Sequence, residues 1–211
     1  MITTRATRTT LAALPGTAGP QAAAALAEAL PQLQIDLRQD LLDVALTNGN
    51  ASLHTPLVLM NAGIIARAIP FEPHGEGTQA PIRAVQDALD AERIAIRQRL
   101  GLPGPHYPLA DFYGPGAWYY DRLGQDLPQI APPAHEQIDF TQHRYVVEDI
   151  EIGLALLVAL ADQLGLACPL STGFLAQAEA ICAKSYLPAP RGPGAEGLPQ
   201  SPAAALNLLR G

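Results

Sequence analysis

Apolar side chains along most of this chain recur with helical spacing. Between Pro81 and Leu100 the residues Ile82, Val85, Leu89, Ile96 and Leu100 stand three, four or seven apart. That pattern predicts one long amphipathic helix with a charged outer face. Gly101, with Pro103 just beyond, stops it. Arg144 to Leu164 is the most apolar stretch and predicts the buried centre of a bundle, closed by Gly165. Leu170 to Tyr186 predicts another helix. Thr55-Pro56 reads as a helix start, with Thr55 as cap, Pro56 in the first turn and Leu57 to Ala68 continuing. Pro70 to Ala80 is a turn-rich connector. Leu102 to Pro133, mixing Pro, Gly and aromatics, reads as loops with short helices.

The opening differs. Thr7 to Leu14 is rich in β-branched residues and ends at Pro15-Gly16, so it reads as a strand and a turn. Gln21 to Leu30 is an Ala-rich helix stopped by Pro31. Leu33 to Asp36 is a candidate second strand. The expected fold class is therefore mainly α. A strand–helix–strand unit over 1–46 precedes a helical bundle over 47–186, and a Pro/Gly-rich tail over 187–211 carries a short C-terminal helix, Ala203 to Arg210.

Hydrophobic residues make up 48% of the 211, enough for a real core. The formal net charge of -7 argues against a nucleic-acid partner, which would need clustered Lys and Arg. Cys168 and Cys182 make no disulfide framework and read as small buried side chains. The N-terminus has no apolar leader, and the longest apolar run, Ile150 to Ala161, contains Glu151 and is too short to span a bilayer. A cytoplasmic protein with no membrane partner is the expectation. Gly75-Glu76-Gly77-Thr78-Gln79-Ala80 satisfies the dinucleotide pattern GxGxxA. That pattern works only between a parallel strand and a helix, whereas a helix and a Pro-bracketed turn precede it here, so it reads as a turn and helix start.

Three segments resemble the octopine/nopaline-type opine dehydrogenases. The first is Asn48-Gly49-Asn50-Ala51-Ser52-Leu53-His54-Thr55-Pro56, running into Leu59-Met60-Asn61-Ala62-Gly63. It is similar to that family's N-x-N-x-x-x-H-P followed by L-L-N-A-G. The second is Gly77-Thr78, then Val85 and Ala88-Leu89-Asp90-Ala91-Glu92-Arg93. The third is His143-Arg144-Tyr145-Val146-Val147-Glu148-Asp149-Ile150, then Gly153-Leu154. All three stand in the family's order and cover about Thr47 to Tyr186. Thr55, inserted between His54 and Pro56, departs from the family pattern.

The resemblance implies a two-domain enzyme that condenses an amine, usually of an amino acid, with a 2-keto acid and reduces the imine with NAD(P)H. It implies that the nucleotide sits on an N-terminal Rossmann domain, with this sequence opening at the last strands of that domain. It assigns a catalytic His–Asp pair to His54 and Asp149, and a carboxylate contact to Arg144. Asn50 precedes His54 at the family's spacing. Glu148, Asn61, Trp118 and Tyr145 are further candidates for substrate contact.

Elementary chemistry agrees with that pairing. Histidine titrates nearest neutral pH and is the default proton shuttle. A neighbouring carboxylate fixes its tautomer and stabilises the imidazolium. An arginine clamps a carboxylate with two parallel hydrogen bonds. Without the resemblance, His54 would read as a cap or core histidine, and Arg144, Glu148 and Asp149 as a charged helix start.

Two enzyme readings follow. In one, the chain binds no nicotinamide of its own and performs a cofactor-independent acid–base step on an amino- or keto-acid-like small molecule: cyclisation, imine formation, isomerisation or dehydration. In the other, a separate Rossmann subunit supplies NAD(P)H and completes a split dehydrogenase. A non-catalytic ligand-binding relic is the third class. The sequence leans to the first, because a split enzyme would break one sheet and expose a strand edge. A second copy could close that edge equally well, so a homodimer is expected. The sole lysine, Lys184, sits near a helix end, which argues against an enzyme-bound Schiff base.

Overall fold

The structure, a computed structural model, describes residues 8–73, 75–112 and 136–188, together with Ala204 and Asn207, both helical. It is mainly α-helical. At the front, strands β1 (Arg8–Leu11) and β2 (Gln34–Leu37) pair in parallel, Arg8 opposite Gln34 and Leu11 opposite Leu37. A 3₁₀ turn (Gly16–Ala18) and helix α1 (Gly19–Ala29) make the crossover that parallel pairing requires. Gly19 lets α1 lie close on β2: a Cβ there would stand 3.1 Å from Leu37 Cδ1.

Helix α2 (Leu41–Ala45), five residues long, was not foreseen in the sequence. Asp40 caps it, accepting the Asp43 N–H at 2.7 Å. Although it falls within 1–46, α2 packs with the helical body. Leu42 and Leu46 are buried in one cluster with Ala51, Ile96 and Leu157.

Helix α3 spans Asn50–Met60, so it begins before Thr55 and carries Pro56 in its interior. This corrects the expected start. Pro56 has no N–H and leaves the Ser52 carbonyl without a helical donor. Burial outweighs that loss, because every residue from Ala51 to Leu59 is buried. Asn61 then breaks the helix, and α4 (Ala62–Ala66) follows as a separate turn. Helix α5 (Ala80–Arg99) matches the predicted amphipathic helix closely. The apolar centre is also present, but its first half, Tyr145–Leu154, is wound as a π-helix before continuing as α6 (Ala155–Leu164). Gly165, at φ 61°, ends α6. Helix α7 (Pro169–Cys182) stops short of the expected Tyr186, because Ala183 turns left-handed at φ 49°. The Glu179 carboxylate takes the Tyr186 N–H at 2.8 Å beyond that turn.

Most of the core is one cluster in which Leu57, Val58, Leu89, Ile150, Leu154 and Ala178 are each 0% exposed. Burying a leucine or isoleucine of this kind stabilises by about 1.5–3 kcal/mol. Between the helices lies a polar layer. Asp90 receives Arg93 Nε at 2.7 Å and the Leu109 N–H at 2.9 Å. Glu92 accepts the Leu170 and Ser171 N–H groups at 2.9 and 2.8 Å and so caps α7. The Ala88–Arg93 motif therefore fastens loops and helix ends. No helix among the described residues is long and apolar enough to cross a membrane.

Candidate functional site

Helix α3 and the π-helix cross at close range. A Cβ at Gly153 would stand 2.9 Å from Ala51 Cβ, so only glycine permits this approach without displacement. One helical turn past Ala51 stands His54, which is inside α3 and not at its start. Its Nδ1 and Asp149 Oδ2 share a hydrogen bond of 2.7 Å across 95 residues of sequence. His54 is 3% and Asp149 6% exposed. The Tyr145 ring stacks on the imidazole, with centroids 3.8 Å apart and planes 17° from parallel. An imidazole held by a carboxylate at one edge and a flat ring on one face has little freedom to rotate.

Beside this pair opens a cleft of about 670 Å³ between α2, the start of α3 and the π-helix with α6. Asp149 and Glu148 line it, with Asn48, Asn50 and an apolar wall that includes Leu41, Val44, Ile152 and Leu156. Asn48 also shapes the entry to α3, accepting the Asn50 N–H at 2.9 Å. A Cβ at Gly49 would lie 2.7 Å from Leu109 Cδ2, so a larger residue there would have to displace that side chain.

The expected site residues separate into groups. His54, Asp149, Asn50 and Glu148 are brought to one place. Tyr145 is not among the residues lining the cleft. It is 5% exposed and reaches the site through His54, with His143 edge-on at 4.5 Å. Arg144 is not among the residues lining the cleft. Its side chain is 57% exposed and makes a long ion pair with Glu148 at 3.8 Å. Asn61 donates to the Leu57 and Gly77 carbonyls at 2.7 and 2.9 Å. Trp118 lies outside the described residues.

Sequence reasoning missed the residues that hold the α2 wall. Asp43, 0% exposed, accepts from Arg38 Nε at 3.2 Å and from Arg97 at 2.7 Å. Burial raises its pKa, but the Arg38 and Arg97 hydrogen bonds outweigh that and hold the carboxyl below its ordinary range. Burial pulls the Arg97 guanidinium down despite the bond to Asp43, whereas Arg38 is held up by the same carboxylate against its own burial. His106, whose Nδ1 accepts from Arg97 at 3.3 Å, is pushed down by burial and then by the Arg97, Arg93 and Arg38 charges. The sequence signal for this group was weak: an Asp three residues after an Asp cap, and arginines at i and i+4 on α5.

Two glycine-bearing turns invite comparison with a pyrophosphate cradle. The GxGxxA segment folds on itself. Thr78 Oγ1 donates to the Pro73 carbonyl at 3.0 Å, and a Cβ at Gly77 would collide with that same oxygen at 2.5 Å. The β1–α1 turn does lie between a parallel strand and a helix. Within it the Ala18 N–H bonds Pro15 O at 3.0 Å and the Gly19 N–H bonds Gly16 O, while Pro20 has no N–H to give. Asp36, at the end of β2 where an acidic residue would meet a ribose, is held by Arg38 and the Tyr107 hydroxyl.

Comparison with known proteins places this site in context. Residues 37–182 match the family described as NAD/NADP octopine/nopaline dehydrogenase, alpha-helical domain. A curated opine dehydrogenase from Arthrobacter sp. (strain 1C) is 29% identical over 140 residues, which cover 63% of this chain and 37% of that protein. The chain thus spans little more than a third of the length of that relative. Residues 37–182 hold the His54–Asp149 pair and every residue lining the cleft. By the extent of that match, the chain belongs to the octopine/nopaline dehydrogenase family through its alpha-helical domain.

Proposed function

We propose that this chain handles an amino- or keto-acid-like small molecule in the cleft beside Asp149, and that the His54–Asp149 pair moves a proton to or from it. The single observation that carries this reading is the 2.7 Å bond between two buried ionisable side chains, one of which lines the cleft. Asp149 presents a carboxylate to the ligand. His54 behind it exchanges the proton through Nδ1, and Tyr145 keeps the imidazole in line. Such a pair serves cyclisation, imine formation, isomerisation or dehydration, each of which needs a proton placed or removed at one atom. The chain performs this step with no nicotinamide of its own.

A second reading is favoured by the sheet. β1 and β2 form a two-stranded parallel sheet among the described residues, and such a pair is too small to stand as a sheet by itself. A nucleotide-binding domain, as a separate subunit or elsewhere in a longer chain, would extend it and bring NAD(P)H to the same cleft. Proton transfer by His54 and Asp149 is common to both readings.

Amine and 2-keto-acid pairs incubated with the chain and followed by NMR, with and without NAD(P)H, test the proposal. His54→Ala and Asp149→Asn should each lower turnover by about 10²–10⁴-fold. Near-wild-type turnover in both variants removes the dyad from the chemistry. Micromolar NADPH binding to the isolated chain would overturn the cofactor-independent reading alone.

A further inference from the structure

One mostly buried imidazole has no part in the chemistry proposed above. His143 stands just ahead of the π-helix, with its side chain 11% exposed. The first amides of a helix find no partner within it. Three of them converge here on this one residue. The His143 carbonyl accepts the Val146 and Val147 N–H groups at 2.8 and 3.1 Å, and its Nδ1 accepts the Tyr145 N–H at 3.3 Å. An acceptor at Nδ1 puts the ring hydrogen on Nε2, which stands 3.2 Å from the Glu136 carboxylate. Glu136 is fixed in turn, its N–H on the Phe71 carbonyl at 3.0 Å and Phe71 in the core. The residue so anchored, Tyr145, is the one that packs on His54. Its ring lies on the imidazole at 3.8 Å and meets the His143 ring at 69°, with centroids 4.5 Å apart. Stacked and edge-on contacts are both favoured between aromatic rings. The first residue of a helix frays unless it is capped, and its side chain would move with it. A tie therefore runs from Phe71 through Glu136, His143 and Tyr145 to the imidazole that Asp149 holds at 2.7 Å.

We propose that His143 is a positioning residue for the His54–Asp149 pair, an assignment that rests on the reading of that pair as the site of proton transfer. By accepting the Tyr145 N–H, His143 fixes the start of the π-helix, and with it the ring that keeps the His54 imidazole turned toward Asp149. His143 is not among the residues lining the cleft and acts through Tyr145.

NMR of the full chain labelled at its histidines tests this. The His54 ring protons, assigned by their disappearance in His54→Gln, should lie upfield under the ring current of Tyr145. His143→Phe keeps a ring of similar bulk but has no acceptor, and should lose most of that upfield shift. His143→Asn has no such ring, but its side-chain oxygen bonds the amide two residues on, and should keep the shift. Turnover in the amine and 2-keto-acid assay should follow the same order. It should fall by up to about 10²-fold in His143→Phe, the loss expected of a misplaced reacting group, with KM little changed, and stay near wild type in His143→Asn. An unchanged His54 signal in His143→Phe would overturn the assignment, as would a loss in His143→Asn as complete as in His143→Phe. Global unfolding of either variant, seen by far-UV circular dichroism, would overturn it too, since His143 would then be a determinant of the fold. The NMR signals do not depend on turnover. Full activity in His54→Ala and Asp149→Asn would sink the proton-transfer reading and leave the order of those signals untouched.

Discussion

Asp43→Asn tests the α2 wall most directly. The native carboxylate is 0% exposed and serves two guanidinium groups, at 3.1 and 3.2 Å from Arg38 and 2.7 Å from Arg97. Removing one member of a buried ionic group costs about 3–5 kcal/mol, because a charge is left without its counterion. Other acceptors remain here. Arg38 keeps the Pro103 carbonyl at 2.7 Å and Asp36 at 3.3 Å, and Arg97 keeps the Asp43 carbonyl at 2.8 Å. Those contacts place the loss at the low end, about 3 kcal/mol, a large part of the 5–15 kcal/mol typical of a domain. At roughly 2–4 °C per kcal/mol for a chain of this size, Tm should fall by about 6–12 °C. In urea the midpoint should drop by about 1–3 M. Far-UV circular dichroism reads both. A loss under about 1 kcal/mol would refute the view that this carboxylate fastens α2 to β2 and α5. The pH dependence has a definite sign. Because the folded carboxyl titrates below its ordinary range, its stabilisation is present above the unfolded pKa and drains away as pH falls toward the folded one. Asp43→Asn should flatten that part of the acid limb.

Other outcomes are expected at separate points of the fold. Gly153→Ala should destabilise by about 1–3 kcal/mol in urea and weaken ligand binding, since the new methyl stands 2.9 Å from Ala51 Cβ; a neutral effect would mean that α3 and the π-helix separate freely. Glu92→Gln should cost about 0.5–2 kcal/mol by loosening the cap of α7, read as faster amide exchange at Leu170 and Ser171. His106 should contribute acid sensitivity below the ordinary histidine pKa. Its folded pKa lies below the ordinary histidine value, so the unfolded chain takes up a proton that the fold refuses, and stability falls as pH drops through that range. His106→Gln should reduce the slope there, and an unchanged slope would count against a neutral, Arg97-facing imidazole.

Periodicity revealed the large elements and hid the small ones. α5 was legible because its apolar stripe is separated from its charges all along its length. α2 was not, since five residues carry too little pattern and its central Asp43 is a charge in a core position, made tolerable only by arginines distant in sequence. Pro56 misled for the opposite reason. Proline normally marks a helix start, and only burial on every side of α3 lets it sit inside. The π winding of Tyr145–Leu154 leaves no trace in hydrophobic spacing. His54 and Asp149 became candidates through resemblance to a family, since two residues 95 apart show no local sign of meeting. Tyr145 and Asn61 show why a motif is not a contact map: it says that a residue matters without saying whether it touches ligand or neighbour, and here Tyr145 stacks on His54 and Asn61 bonds backbone carbonyls.

One carboxylate, that of Asp43, ties the residues just after β2 to the short helix beside the cleft and to α5. On the reading proposed above, a partner that shifted β2 would also shift the α2 wall of the cleft through this carboxylate.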